Sequence, residues 1–375
     1  MATAQGIRAG KAFVELFADD NKLVRGLRRA EKKVKAFGAS IRKLGLKTAG
    51  LGAAIAAPMV ASGKAFGDFE NQMKMVSTML DEPEKHMDAF ARGIRKLSVD
   101  FGESTGVLSK GLYDLLSASV DPASALDVLA VATKSALGGM TDTAVAVDGL
   151  TSVLNAFQMS AGQAGHVADV MFQTVKRGKL TFPDLAANIG KVAPMARAAG
   201  MSMEDMMATI ASMTRQGLSA EESTTRLVNI LKQAPRQAGD LAALIAKYAG
   251  KSLSDIQIDF PEVRAAGGIA ALAADIGGFR KDLMLMQNAA GQADTAFARM
   301  TGGLSVELNK VRMSVMDLMT SVGEALAPTL KAAGEWFRKA VASAGEWVKQ
   351  NRGFIVSALK VAAVVVAVGI GMTVL

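Results

Sequence analysis

The chain has 375 residues, half of them apolar but only 5% aromatic, with 37 Gly, 22 Met, 8 Pro and a formal charge of +8. Its apolar mass sits in Ala, Leu, Val and Met, which favour helices, and the length is enough for two or three packing units, so an all-α protein is predicted. No cysteine is present, which excludes disulfides, thiolate zinc sites, iron–sulfur clusters and a cysteine nucleophile.

The opening "MATAQGIRAGKAFVELFADD" lacks a basic end followed by an apolar run, so synthesis in a cytoplasm is expected. Within it, "KAFVELF" has the pattern of one short strand. Asn21 to Ala36 then places Leu23, Leu27, Ala30 and Val34 on one stripe of a helix. Around that stripe lie Lys22, Arg25, Arg28, Arg29, Lys32 and Lys33, a basic face that carries much of the positive charge. Such a face is usually solvated. Contact with nucleic acid is the lesser expectation, because no aromatic residues are interleaved for base stacking.

Residues 1–48 are therefore expected to form a strand-plus-basic-helix unit, and residues 49–66, "AGLGAAIAAPMVASGKAF", a small-residue apolar segment. "GLGAAI" is not a dinucleotide fingerprint, because no strand precedes it and its third Gly is missing. "SGKA" likewise lacks the upstream Gly and following Ser/Thr of a phosphate loop.

Residues 67–234 are predicted as a helical core. Asp121 and Pro122 have the form of an N-cap and first helical residue, and Gly138 with Gly139 a helix stop. Ser202 with Asp205, and Ser219 with Glu222, have capping-box spacing. Gly178, Gly200 and Gly217 mark helix ends. A loose repeat aligns the stretch from Gly139 with that from Gly200, each giving Gly-Met-Ser/Thr, a helix, Leu/Met-Ser-Ala and a second helix, so two similar hairpins are expected. "MSMEDMMATIASM" is either an adaptable partner surface or, more commonly, a core helix.

Residues 235–303 are predicted as a Gly-rich connecting region, with "DIQIDFPEV" a loop or short strand and "AAGGIAALAADIGG" a hinge. Order returns over 304–352. Leu304, Leu308, Val311, Val315, Leu318 and Val322 are spaced 4, 3, 4, 3, 4, a heptad seam that suits either packing inside a bundle or self-association of parallel helices. Pro328 interrupts that helix and is expected to begin a second one. Trp336 and Trp347 follow eleven residues apart, on one side of a helix.

The chain closes on "FIVSALKVAAVVVAVGIGMTVL", residues 354–375, in which Lys360 is the one charge. As a helix it would reach about 33 Å, close to a bilayer core of about 30 Å, so a transmembrane helix is predicted. Phe354, Ile355, Val361, Val364, Val365, Val366, Val368 and Ile370 are its membrane-inserting residues.

Nothing marks a catalytic site. No nucleophile–base pair, phosphate cradle or metal cluster is legible, so neither an enzyme nor a cofactor is expected. His86 and His166 stand apart, and although Asp169 lies three residues after His166, a metal needs three or four converging ligands. Solvated or capping roles are expected for both histidines.

The motifs taken in order resemble the bacteriophage tail tape measure protein family. "AFGDFENQMKMVSTML" resembles the family's entry into its core. The stretch opening "LSKGLYDLLSASVDP" resembles its first helical block, and that opening "LTFPDLAANIGKVAPMARAAG" its second. "VGEALAPTLKAAGEWF" is similar to the passage that leaves the core. The resemblance runs over roughly residues 65–340.

It implies an elongated helical homo-oligomer, parallel and a trimer in one arrangement, that occupies the tail-tube lumen and sets tail length. The protein would leave before the DNA and insert into the host envelope. Tail-tube protein, tail-tip or baseplate proteins and tail assembly chaperones are the partners it implies. All 375 residues in one helix would reach only about 560 Å, so a ruler needs more chain, and this segment is expected to be the N-terminal part of a longer protein. The long repetitive helix of a ruler is missing, which favours an assembly platform. A pore-forming or holin-like helical membrane protein is the alternative that the two apolar stretches suggest.

Overall fold

A computed structural model describes residues 58–234 and 240–353. The expected strand at 11–17, the basic helix and the apolar segment 354–375 lie outside the described residues. Within them the protein is all-helical. Residues 58–77 form α1, followed by α2 (Pro83–Phe101), α3 (Thr105–Ser117), α4 (Ala125–Gly139) and α5 (Thr143–Phe157). Next come α6 (Ala164–Arg177), α7 (Phe182–Ala198), α8 (Met203–Arg215), α9 (Ala220–Gln233) and α10 (Leu241–Ala246). The last five are α11 (Leu253–Asp259), α12 (Val263–Ala274), α13 (Ile276–Gln287), α14 (Gln292–Thr301) and α15 (Leu304–Gln350).

Helix starts follow from side chains that satisfy the free amides of a first turn. Thr181 with Asp184 and Ser219 with Glu222 form reciprocal capping boxes, and the Ser202 hydroxyl accepts from the Asp205 amide at 3.0 Å. Asp121 and Pro122 instead lie in a turn before α4, whose N-cap is Ser124. The stop assigned to Gly138 and Gly139 falls one residue later: both are helical, and Met140 takes the left-handed cap at φ +52°.

From α3 to α9 the helices sort into two layers. The odd-numbered helices stack as α3, α5, α7 and α9, extended by α12, while α4, α6 and α8 stack in the other layer, extended by α13. Consecutive helices cross between layers, as in solenoids built from helix pairs. The pairs α5/α6 and α8/α9 occupy the two stretches of the sequence repeat.

Amphipathic spacing explains the burial. On α7, Phe182, Leu185, Ile189, Val192 and Ala196 recur every three or four residues and are all buried. Helix α8 is buried on every side from Met206 to Thr214 because it lies between neighbours: Met203, Met206, Met207 and Met213 are all buried, so the methionines of this stretch belong to the core.

Two expectations fail between residues 240 and 303. "DIQIDF" is mostly the helix α11, capped by Ser252, and the supposed hinge is α12, which buries Ala265, Ala266, Ile269 and Leu272 against α9. Glycine weakens an isolated helix by about 1 kcal/mol, but here Gly268 is buried among side chains of α9 and α8, and tertiary packing overrides propensity.

Tyr248 donates a 2.7 Å hydrogen bond to Asp259 and meets Phe260 edge-on. Burial, then the bond to the Asp259 carboxylate and its charge, push the phenol from 10.0 up to about 12. The neutral phenol is the form the fold favours. Its contribution to stability is therefore complete below pH 10 and is lost as pH rises through about 12. Ultraviolet titration should show a tyrosinate step near 12 that disappears in Tyr248→Phe; an unchanged high-pH step in that variant would refute the assignment.

Candidate functional site

The candidate surface is the outer side of α15. At 47 residues this helix is about 70 Å long. It is a single element: Pro328 lies inside it, so the expected break there does not occur. Pro328 is not buried, and most of the helix beyond it is exposed.

One stripe of α15 faces the body of the protein. Val306, Lys310, Met313 and Asp317 are half-buried along it, and Thr320 and Gly323 are fully buried. Arg95 of α2 fastens this stripe. Its guanidinium contacts the Asp317 carboxylate and the Ser321 hydroxyl, and it reaches the Asp317 carbonyl at 3.3 Å and Glu324 at 3.4 Å. Farther along, Lys331 approaches Glu70 of α1 at 3.9 Å, and Glu70 also pairs with Lys74 at 3.1 Å. The hydrogen bond from Lys74 leads the causes that hold the Glu70 carboxyl below its ordinary value.

The heptad seam lies on the other side. The seam residues from Leu304 to Leu318 each stand two positions before an inward one, which rotates them by about 200° about the helix axis, while Val322 directly precedes the buried Gly323. Leu304 is accordingly 76% exposed and Leu318 63%, with Leu308, Val311, Val315 and Val322 exposed as well. Trp336 and Trp347 are 71% and 55% exposed. Residues 332 to 350 of α15 are exposed throughout. Sequence reasoning missed Phe337, Val341 and Val348 on this free half, all exposed; the signal was present, since "AGEW" recurs at 333–336 and 344–347.

The six basic residues from Lys22 to Lys33 and the eight apolar ones from Phe354 to Ile370 lie outside the described residues. Among the described residues no helix is long and apolar enough to cross a membrane, and no group of three or more His, Asp or Glu could hold a metal ion.

His86 stacks on Phe90 at 5.9 Å. His166 Nε2 lies 2.9 Å from Glu204, tying α6 to α8. Asp169 is engaged elsewhere, where it accepts from the amides of Gly291 and Ala293 at the start of α14. A cleft of about 350 Å³ opens between the ends of α4 and α6, α7 and α14, floored by Phe172 and Phe182 and edged by Lys176 and Arg299. It holds no acid–base pair.

A buried ion cluster organises the body. Asp282 of α13 is wholly buried and accepts from Arg177 at 2.7 Å and Arg215 at 2.5 Å, while Arg215 also reaches Asp275 at 3.2 Å. Burial works against the Arg215 charge, but the hydrogen bond and charge of Asp282 outweigh it and raise its pKa. Both arginines end their helices, where a cation suits the helix dipole.

Comparison with known proteins places residues 91–302 within a family model described as phage-related minor tail protein. A probable tape measure protein of Clostridium phage phiCD119 is 27% identical over 324 residues, covering 76% of this chain and 34% of that one. The tape measure protein of Pneumococcus phage Dp-1 is 27% identical over 219 residues, covering 56% of this chain and 18% of its own. The chain thus spans about a third or less of the length of these relatives. No solved structure matches.

Proposed function

This chain belongs to the phage-related minor tail protein family, and on that footing we propose that it is part of a tail tape measure protein, acting in the virion as a helical scaffold along the tail. The observation that carries this reading is α15, a 47-residue helix whose apolar seam and tryptophans face outward and whose last turns leave the helical body altogether. A face of that composition costs solvation energy in water and is expected to be covered by a partner in the assembled tail.

The scaffold role divides the chain. The packed layers from α2 to α14 serve as the platform against which tail-tip or baseplate proteins and assembly chaperones are held. Helix α15 leads away from it along the tube, its seam covered by further copies of the chain. Residues 354–375 are then an apolar segment kept from water inside the tube and released into the host membrane during infection. No catalytic step is assigned to any residue, and the names of the relatives carry none.

Tail length is the decisive measurement. Ten further copies of the eleven-residue unit inserted after Ser343 would add about 165 Å of helix. Phage carrying the insertion should make tails longer by about that amount in electron micrographs. Tails of unchanged length would remove α15 from the ruler.

A further inference from the structure

The cleft between the ends of α4 and α6, α7 and α14 has a build that a helical scaffold alone does not require. Its volume of about 350 Å³ lies at the small end of ligand pockets, roughly 300–1,000 Å³, so it suits one or two side chains rather than a folded surface. Phe172 and Phe182 form the floor, with ring centroids 4.9 Å apart. The paired glycines of α4 set that floor. A Cβ on Gly139 would lie 2.8 Å from the Phe182 Cβ, and one on Gly138 3.2 Å from the tip of the Phe172 ring. Both glycines are helical, so their part is to let the rings come close rather than to end α4.

Met140 follows them on the rim. It holds the left-handed cap of α4 at φ +52°, where Gly or Asn is usual, and is 76% exposed. A flexible apolar side chain thus stands beside the opening in a backbone conformation that favours glycine.

The charges that line the cleft are of one sign. Lys176 and Arg299 line it and no carboxylate does. Among the described residues Lys176 reaches only the neutral Gln292, at 3.3 Å, and Arg299 has no ion-pair partner. The neighbouring acids are engaged elsewhere: Asp184 accepts from the Thr181 hydroxyl at 2.6 Å, and Asp294 pairs with Lys134 at 3.0 Å. Asp142 borders a separate depression beyond Met140. A cation in the last turn suits the dipoles of α6 and α14, which explains each charge singly. It does not explain why two helix ends bring cations without a carboxylate to one apolar floor.

We propose that the cleft receives an acidic peptide segment of another protein, with one bulky apolar side chain over Phe172 and Phe182 and flanking carboxylates on Lys176 and Arg299. A nucleic acid fits less well, since it is held by many phosphate contacts along its backbone and two cations supply few. The ring pair, 8% and 2% exposed, also offers no open face for a base to stack on. The site stands apart from the role given to α15. Binding is read on the isolated chain, so this inference and the tail-length reading can fail independently.

Fluorescence anisotropy of the full 375-residue chain with a labelled pentapeptide, EDFDE, tests it. The peptide should bind, and exchanging its phenylalanine for alanine, or its four acids for lysine, should weaken binding about ten-fold or more. Lys176→Glu and Arg299→Glu, both at exposed positions, should each weaken it about ten-fold. Lys176→Gln and Arg299→Gln should act in the same direction by about three-fold, and they serve where a reversal disturbs the fold. Thr295→Trp, at another exposed lining position, should block the floor while leaving both charges in place. Lys339→Glu makes the same charge change on the free half of α15 and should bind like wild type.

Circular dichroism of each variant checks that the helices are intact. Equal weakening by Lys339→Glu would reveal attraction to net charge alone and overturn the site. So would a lysine peptide bound as tightly as the acidic one, or a wild-type chain that binds neither. A twelve-nucleotide oligothymidylate bound instead, with the same dependence on Lys176 and Arg299, would overturn the peptide in favour of a nucleic acid.

Discussion

Asp282→Ala should lower the stability of the helical body by about 3 kcal/mol, the lower end of what breaking a buried ion pair costs. The carboxylate is wholly buried and is shared by Arg177 and Arg215, whose side chains are 30% and 29% exposed. Without it the two guanidinium groups stay near each other in a poorly hydrated place. Their partial exposure lets water relieve some of that penalty, hence the lower end. The three residues come from α13, α6 and α8, so the loss would loosen the hold of α6 and α8 on α13.

Urea unfolding monitored by circular dichroism measures it, as a lower midpoint at unchanged slope. A second variant separates charge from packing. Replacing all three residues together, with Asp282→Leu, Arg177→Met and Arg215→Met, removes the ions as well as their attraction and should cost less than Asp282→Ala alone. Additive losses across the three sites would show that the cluster is not a unit.

Gly323→Ala should part α15 from α1. A Cβ on Gly323 would collide with the Ser62 carbonyl oxygen and lie 2.7 Å from the Phe66 Cβ. The first is backbone, which has no rotamer to retreat into, so the helices must separate. A Cβ on the neighbouring Gly63 would meet only the tip of the Leu330 side chain, at 2.8 Å, which can turn aside. Alanine favours an isolated helix over glycine by about 1 kcal/mol, but overpacking of about 1–3 kcal/mol opposes it and a clash this deep decides the sign.

Hydrogen exchange should therefore quicken along residues 306–327 in Gly323→Ala and stay unchanged in α5 and α7. Gly334→Ala provides the contrast, since nothing lies within 4 Å of its Cβ, and it should stabilise the free half of α15. Protection that is equal or greater in Gly323→Ala would mean that the two helices do not cross this closely in solution.

The mainly helical composition, the capping box at Ser219 and the Ser202 cap were legible because they are local: a side chain three residues from an amide either reaches it or does not. The long helix was legible as a heptad seam for the same reason. Local rules failed where packing overrides them. Gly-rich α12 is helical because α9, α11 and α8 pack around it, and Pro328 sits within α15, whose helix continues on both sides. The cluster at Asp282 had no signature at all, its members being separated by 105 and 67 residues.

By itself the sequence determined that this protein is helical, that it has no thiol chemistry, and that one helix carries an apolar seam, because periodicity and composition are properties of a single stretch of chain. Which side of that helix meets the body was decided only in the tertiary structure. An apolar stripe states a preference for burial without naming what will bury it. Here the body took the opposite stripe, where Gly323 lets the α1 backbone approach and Arg95 finds Asp317, and so left the seam facing outward.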